Sequence, residues 1–169
     1  MSISIRPATP ADLPEVQSVL RETWHDTYDE ILGAVNVADM TRRWHDLASL
    51  ERETLDPQRV LLLSSVDGEI VGTASASRRA PPRLRLNRLY VRPVHQRRGH
   101  GRALLQAAIA AFPDRDVVEL EVHARNARGL AFYDRLGFSA DDDARAGLDP
   151  DTVHLIRSSA TKNAADGGV

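Results

Sequence analysis

The run Gln96-Arg97-Arg98-Gly99-His100-Gly101-Arg102 combines three guanidinium groups with two glycines, between an apolar stretch ending at Val91 and a helix-forming stretch. Glycine has no Cβ, so backbone N–H groups there approach a ligand closely, and a helix that begins at once adds unpaired donors and a partial positive charge. Such a loop is a cradle for a pyrophosphate. The plain alternative is a turn carrying solvated arginines. A dinucleotide-binding loop is a second alternative, since Glu119 follows Gly99-His100-Gly101 at a suitable distance. That fingerprint requires a third glycine where Leu104 stands and a tight turn directly after the strand, whereas seven residues separate Val91 from Gly99.

Composition excludes other chemistries. The 169 residues are 42% hydrophobic and 27% charged, which fits one soluble globular domain, expected over 1–157 with a polar, disordered tail over 158–169. There is no Cys, so thiol catalysis and disulfides are out. Lys162, in the tail, is the only lysine, and neither a P-loop nor a Schiff-base site can be built on it. A net charge of −2 carries no nucleic-acid footprint. His25, His45, His95, His100, His123 and His154 form no His-x-x-x-His pair, so no metal site is expected. With no apolar run of membrane-spanning length and no signal-peptide pattern, a cytoplasmic protein without a membrane partner is expected.

Around the loop, Ser2–Arg6 alternates as a first strand, and Thr9-Pro10-Ala11-Asp12 supplies a cap, a first-turn proline and an early acid. Leu13, Val16, Leu20 and Trp24 then fall on one helical face. Residues 26–36 are mixed, and a second helical stretch is expected over Val37–Leu50, with Met40, Trp44, Leu47 and Ala48 inward. Val60–Val66 and Ile70–Ser77 flank the Asp67-Gly68 turn as a hairpin, and Leu84–Val91 is the next strand after Pro81-Pro82. Gly101–Phe112 reads as a helix, Val117–Val122 as a strand, Asn126–Leu136 as a helix closed by Gly137, and Thr152–Arg157 as a last strand. This order predicts an α+β (α/β/α layered) fold, with one parallel crossover between Leu84–Val91 and Val117–Val122.

Taken with Asn126 and the run Ala131-Phe132-Tyr133-Asp134-Arg135-Leu136-Gly137-Phe138, the Gln96-Arg97-Arg98-Gly99-His100-Gly101 loop resembles the paired motifs of the GNAT superfamily of acetyl-CoA-dependent N-acetyltransferases. The match covers about 50 residues, Leu89 to Phe138. It implies a mixed, mostly antiparallel central sheet of about six to seven strands flanked by helices, with acetyl-CoA as cosubstrate and no metal. Leu89, Tyr90 and Val91 would then offer backbone groups to the pantetheine arm, as an added strand pairs. Gln96 would edge the pyrophosphate loop, and Arg97, Arg98, Gly99, His100, Gly101 and Arg102 would hold the pyrophosphate. Asn126 and Tyr133, two helical turns apart, would share the face bordering the thioester.

The same resemblance implies direct attack of a primary amine in a ternary complex, with Tyr133 protonating the departing thiolate and a backbone N–H near Val91 polarising the carbonyl. By analogy with the branch that acetylates protein N-termini, Glu121 takes the place of the base; a water relay is the alternative, since Leu84–Val91 carries no carboxylate. Glu119 shares its strand face, and His123 could assist. Trp24 and Tyr28 lie where the family lines its acceptor cleft, Trp24 also fitting a core position. The acceptor is a small amine or a peptide N-terminus, and homodimers are common in the family. A non-catalytic acyl-CoA-binding module is the rival reading.

Overall fold

Along Val117–His123 the apolar set Val118, Leu120 and Val122 is buried and the intervening Glu119, Glu121 and His123 face outward, as alternation requires of a strand covered on one face. The computed structural model describes residues 3–141 and 149–158. Its strands are β1 (Ser4–Pro7), β2 (Arg59–Val66), β3 (Glu69–Arg78), β4 (Arg83–Val91), β5 (Val117–His123), β6 (Ser139–Ala140) and β7 (Thr152–Ser158). Its helices are α1 (Leu13–Leu32), α2 (Ala34–Trp44), α3 (Leu47–Leu55), α4 (His100–Ala110) and α5 (Ala127–Arg135). The strands form one sheet in the order β1-β2-β3-β4-β5-β7-β6, antiparallel except between β4 and β5.

Helices cover both faces. Leu104, Leu105 and Ala108 of α4 pack with Leu62, Ala74, Leu84 and Leu86 on one side, joined by Tyr133 and Phe138. On the other, Leu13, Val16, Val19 and Leu20 of α1 and Leu50 of α3 pack on Leu61, Leu63 and Ile70. Neighbouring leucines of β2 thus serve opposite cores, which is why Val60–Leu63 reads as a continuous apolar run. Each fully buried leucine contributes about 1.5–3 kcal/mol.

Two expectations are corrected. First, α1 runs on to Leu32, so Tyr28 and Ile31 extend the stripe of Trp24; Gly33, at φ +84°, ends it. Second, the helix expected over Val37–Leu50 is two helices. Asp46 breaks it by accepting the Ser49 N–H (3.0 Å) as the cap of α3. The break resets the helical phase. Val37, Thr41 and Leu50 point inward, while Trp44 (49% exposed), Leu47 (45%) and Ala48 face outward and Met40 is half-buried. Ser2 and the tail from 159 onward lie outside the described residues.

Candidate active site

Two local features open a cleft in the sheet. The parallel pairing of β4 with β5 lasts only through Arg83–Val117, Leu84–Val118 and Arg85–Glu119; beyond it β4 stays paired with β3, and β5 with β7, but not with each other. The edge of β4 from Leu86 to Val91, which includes Leu89, Tyr90 and Val91, therefore faces a gap, and backbone groups there need partners that a ligand strand can supply. In addition, β4 bulges at Asn87, which has no partner between the Arg88–Ser75 and Leu86–Ala76 pairs. The extra residue shifts the alternation. Leu84 and Leu86 before it, and Leu89 and Val91 after it, share the α4 side, and Tyr90 is sent to the α1 side.

The gap belongs to a cleft of about 1090 Å³ that runs from the Gln96–Arg102 loop past Tyr90 to Glu121, Asn126 and Tyr133. At its lower end Arg97 (φ +58°) and Gly99 (φ +93°) are both left-handed, a geometry that turns successive N–H groups toward one concave side, and Gly99 caps α4. Gln96 fastens this loop to the strand by donating to the Val91 carbonyl (3.0 Å). Arg97, Arg98 and Arg102 line the cleft, joined by Arg128 and Arg135 of α5, which the sequence reading missed although their seven-residue spacing places them on one helical face.

His100 and Gly101 also have structural parts. The His100 side chain turns into the core, 3% exposed, with Nδ1 2.5 Å from Ser64 Oγ, so it brings no side chain to the cradle. Burial first, then His95 and Arg98, push its pKa down. A Cβ on Gly101 would meet Phe132 at 3.2 Å, so this glycine lets α4 and α5 approach.

At the other end, Tyr133 packs between Phe132 (ring centroids 5.1 Å) and Phe138 (5.4 Å) and borders the cleft. Burial raises its pKa, so the phenol stays protonated. Asn126 caps α5 by accepting the Gly129 N–H (2.9 Å). Tyr28, Tyr90 and Tyr133, the chain's three tyrosines, all line this cleft. Burial raises the pKa of Tyr28, and that of Tyr90 more strongly. Tyr90 thus stands at the cleft with its side chain as well as its strand edge.

Glu121 and Glu119 diverge. Glu119 pairs with Arg83 (2.7 Å). Glu121 borders the cleft, with Arg85 Nη2 at 2.7 Å and His154 Nε2 at 3.2 Å, the latter off the angle of a hydrogen bond. His123 stands nearby, its ring 6.3 Å from Tyr28.

On the α1–α2 side the cleft adjoins a smaller space of about 360 Å³ between Trp24, Tyr28, Trp44 and Tyr90, with Arg85, Arg88 and Glu121 among its lining. Trp24 is core and wall at once, its ring 4.7 Å from Tyr28, 5.2 Å from His45, 5.6 Å from Trp44 and 6.2 Å from Tyr90. His45 is pushed down to about 3, by burial first and then by Arg88, and is neutral. Among the described residues no three His, Asp or Glu side chains gather as a metal site, and no helix is long and apolar enough to cross a membrane.

An open strand edge ending in a backbone cradle defines a class of transferase that lays a long phosphorylated carrier along a split sheet. The chain matches the Acetyltransferase (GNAT) family over residues 16–138 and belongs to it, as an acyltransferase with acetyl-CoA as cosubstrate. It is 29% identical over 148 residues to a spermidine N(1)-acetyltransferase of Thermoplasma acidophilum, covering 84% of this chain and 91% of that protein. The PaiA N-acetyltransferase of the same organism, solved in complex with coenzyme A, superposes with a TM-score of 0.85 at 26% identity over 94% of this chain and 99% of that one. An acetyltransferase from Thermus thermophilus follows at 0.71 and 25%, covering 94% and 97%.

Proposed function

We propose that this enzyme acetylates a small primary amine by direct attack within a ternary complex. The observation that carries the reading is the split between β4 and β5: one continuous cleft joins a pyrophosphate cradle to a protonated phenol and a carboxylate, and a second space meets it at Tyr28, Tyr90 and Glu121. The relative named for spermidine acetylation supports a small amine acceptor.

The residues take these roles. The β4 edge at Leu89–Val91 pairs with the pantetheine arm, and a backbone N–H near Val91 polarises the acyl carbonyl. The loop N–H groups, with Arg97, Arg98 and Arg102, hold the pyrophosphate. Acetyl-CoA supplies an activated acetyl thioester. A Lys-like amine is mostly charged at pH 7, and neutralising it costs about 4.6 kcal/mol. Glu121, directly or through water, accepts that proton. Tyr133 donates to the sulfur as the C–S bond breaks, and the proton that the nitrogen loses on collapse of the tetrahedral adduct restores the phenol. No thiol competes as nucleophile, since the chain has no Cys. The Ser64–His100 hydrogen bond has the form of an activated serine, but both residues are buried and neither lines the cleft.

The test is steady-state release of CoA from acetyl-CoA with a panel of primary amines, with the product identified by mass. Intersecting initial-velocity lines support direct attack, and parallel lines overturn it. Tight acetyl-CoA binding with no amine accelerating CoA release would leave only the binding module.

A further inference from the structure

We propose that the acceptor is a small aromatic amine bearing its own carboxylate, of the chemistry of an aromatic α-amino acid, and not a polyamine. This rests on the transferase reading above and concerns the space between α1, α2 and β4. At about 360 Å³ that space lies near the lower end of small-molecule sites, which span roughly 300–1,000 Å³, and so suits a compact acceptor. Four flat aromatic rings line it, Trp24, Tyr28, Trp44 and Tyr90, among polar and charged neighbours. Trp44 is half-exposed at the lip, its ring edge-on to Trp24 at 5.6 Å, so that one face stays open to an acceptor.

The charges select what such walls take. An aromatic enclosure by itself also suits a cation. Here the floor carries two guanidiniums, Arg85 and Arg88, against one carboxylate, Glu121; His45, also in the wall, is neutral. Arg88 is committed to buried Glu53, with Nη1 at 2.7 and 2.6 Å from the two carboxylate oxygens. Arg85 meets Glu121 through one nitrogen, Nη2, and a guanidinium presents five N–H donors in a planar fork. It can therefore receive a second carboxylate while Glu121 receives the ammonium. A polyamine brings further ammonium groups, and the lining offers them no carboxylate besides Glu121.

The experiment compares kcat/KM, read as acceptor-dependent CoA release, for L-phenylalanine, phenethylamine and spermidine, with the wild type and with Arg85→Met. Phenethylamine differs from phenylalanine only by the carboxylate. The expected result is that phenylalanine exceeds both others by about tenfold or more, and that its ratio to phenethylamine falls to about one in Arg85→Met. The ratio cancels any effect of the variant on Glu121, which both substrates share. Spermidine as the best of the three, equal use of phenylalanine and phenethylamine, or a ratio unchanged by Arg85→Met would each overturn the proposal while leaving amine acetylation standing. Turnover of none of the three overturns it too, and CoA release with the wider amine panel then decides the transferase reading separately.

Discussion

Arg85 Nη2 lies 2.7 Å from the Glu121 carboxylate, and the last backbone pair between their strands is Arg85–Glu119. Glu121 is therefore the first residue on its face of β5 beyond the point where the sheet splits. The ion pair fixes a carboxylate at the mouth of the gap, where the cleft and the smaller aromatic space meet.

If Glu121 takes the proton from the attacking amine, Glu121→Gln lowers kcat by about 10²-fold or more, the usual contribution of a positioned base. The KM for acetyl-CoA stays within about threefold, because the carboxylate is remote from the cradle loop. Kinetics across pH read both. A variant that raises only the amine KM would reassign Glu121 to holding the acceptor.

Tyr133→Phe removes a hydroxyl and keeps the ring that packs between Phe132 and Phe138. Turnover is expected to fall by about 10²-fold, since a protonated phenol no longer meets the leaving sulfur. Calorimetric affinity for acetyl-CoA should stay within about twofold. A large loss of affinity at unchanged turnover contradicts the role.

The cradle was legible because its chemistry is local: glycines, arginines and a helix start stand within a few residues of one another. The alternation Val118–Glu119–Leu120–Glu121 was legible for the same reason. The Asn87 bulge was not, since it arises from the register of β4 against β3, and without it Tyr90 falls on the wrong face. The burial of the His100 side chain was not legible either, because its partner, Ser64, lies on a distant strand. Leu47 and Ala48 were placed inward because the periodicity was carried across Asp46, whereas Trp44, still on α2, sits one position off the Val37–Thr41–His45 stripe. The signal for a break was nonetheless there, an Asp three residues before Ser49.

Neutral His45 gives stability a defined pH dependence. Its pKa in the fold is about 3 against an ordinary 6.5. Between those values the unfolded chain binds a proton that the fold does not, so stability is full above about 6.5 and falls as pH drops, by at most about 1.4 kcal/mol per pH unit. His100, also pushed down, acts in the same direction. Denaturant unfolding at pH 7.5 and pH 5 should show a loss in the wild type that shrinks by about 1–2 kcal/mol in His45→Gln. An unchanged loss would mean that His45 is charged or solvated in the fold.

Glu53 holds the floor of the aromatic space from behind. It is 6% exposed, accepts from Ser75 Oγ at 3.0 Å and carries both Arg88 contacts, with Arg59 Nη1 at 3.5 Å. Removing one partner of a buried pair leaves the other charge uncompensated, at a cost of about 3–5 kcal/mol. Glu53→Ala is therefore expected to destabilise by about 3 kcal/mol in denaturant unfolding, and Glu53→Met with Arg88→Met to recover most of that loss, because no lone charge then remains. A single-variant loss under about 1 kcal/mol would place the pair among surface bridges, with water already reaching Arg88.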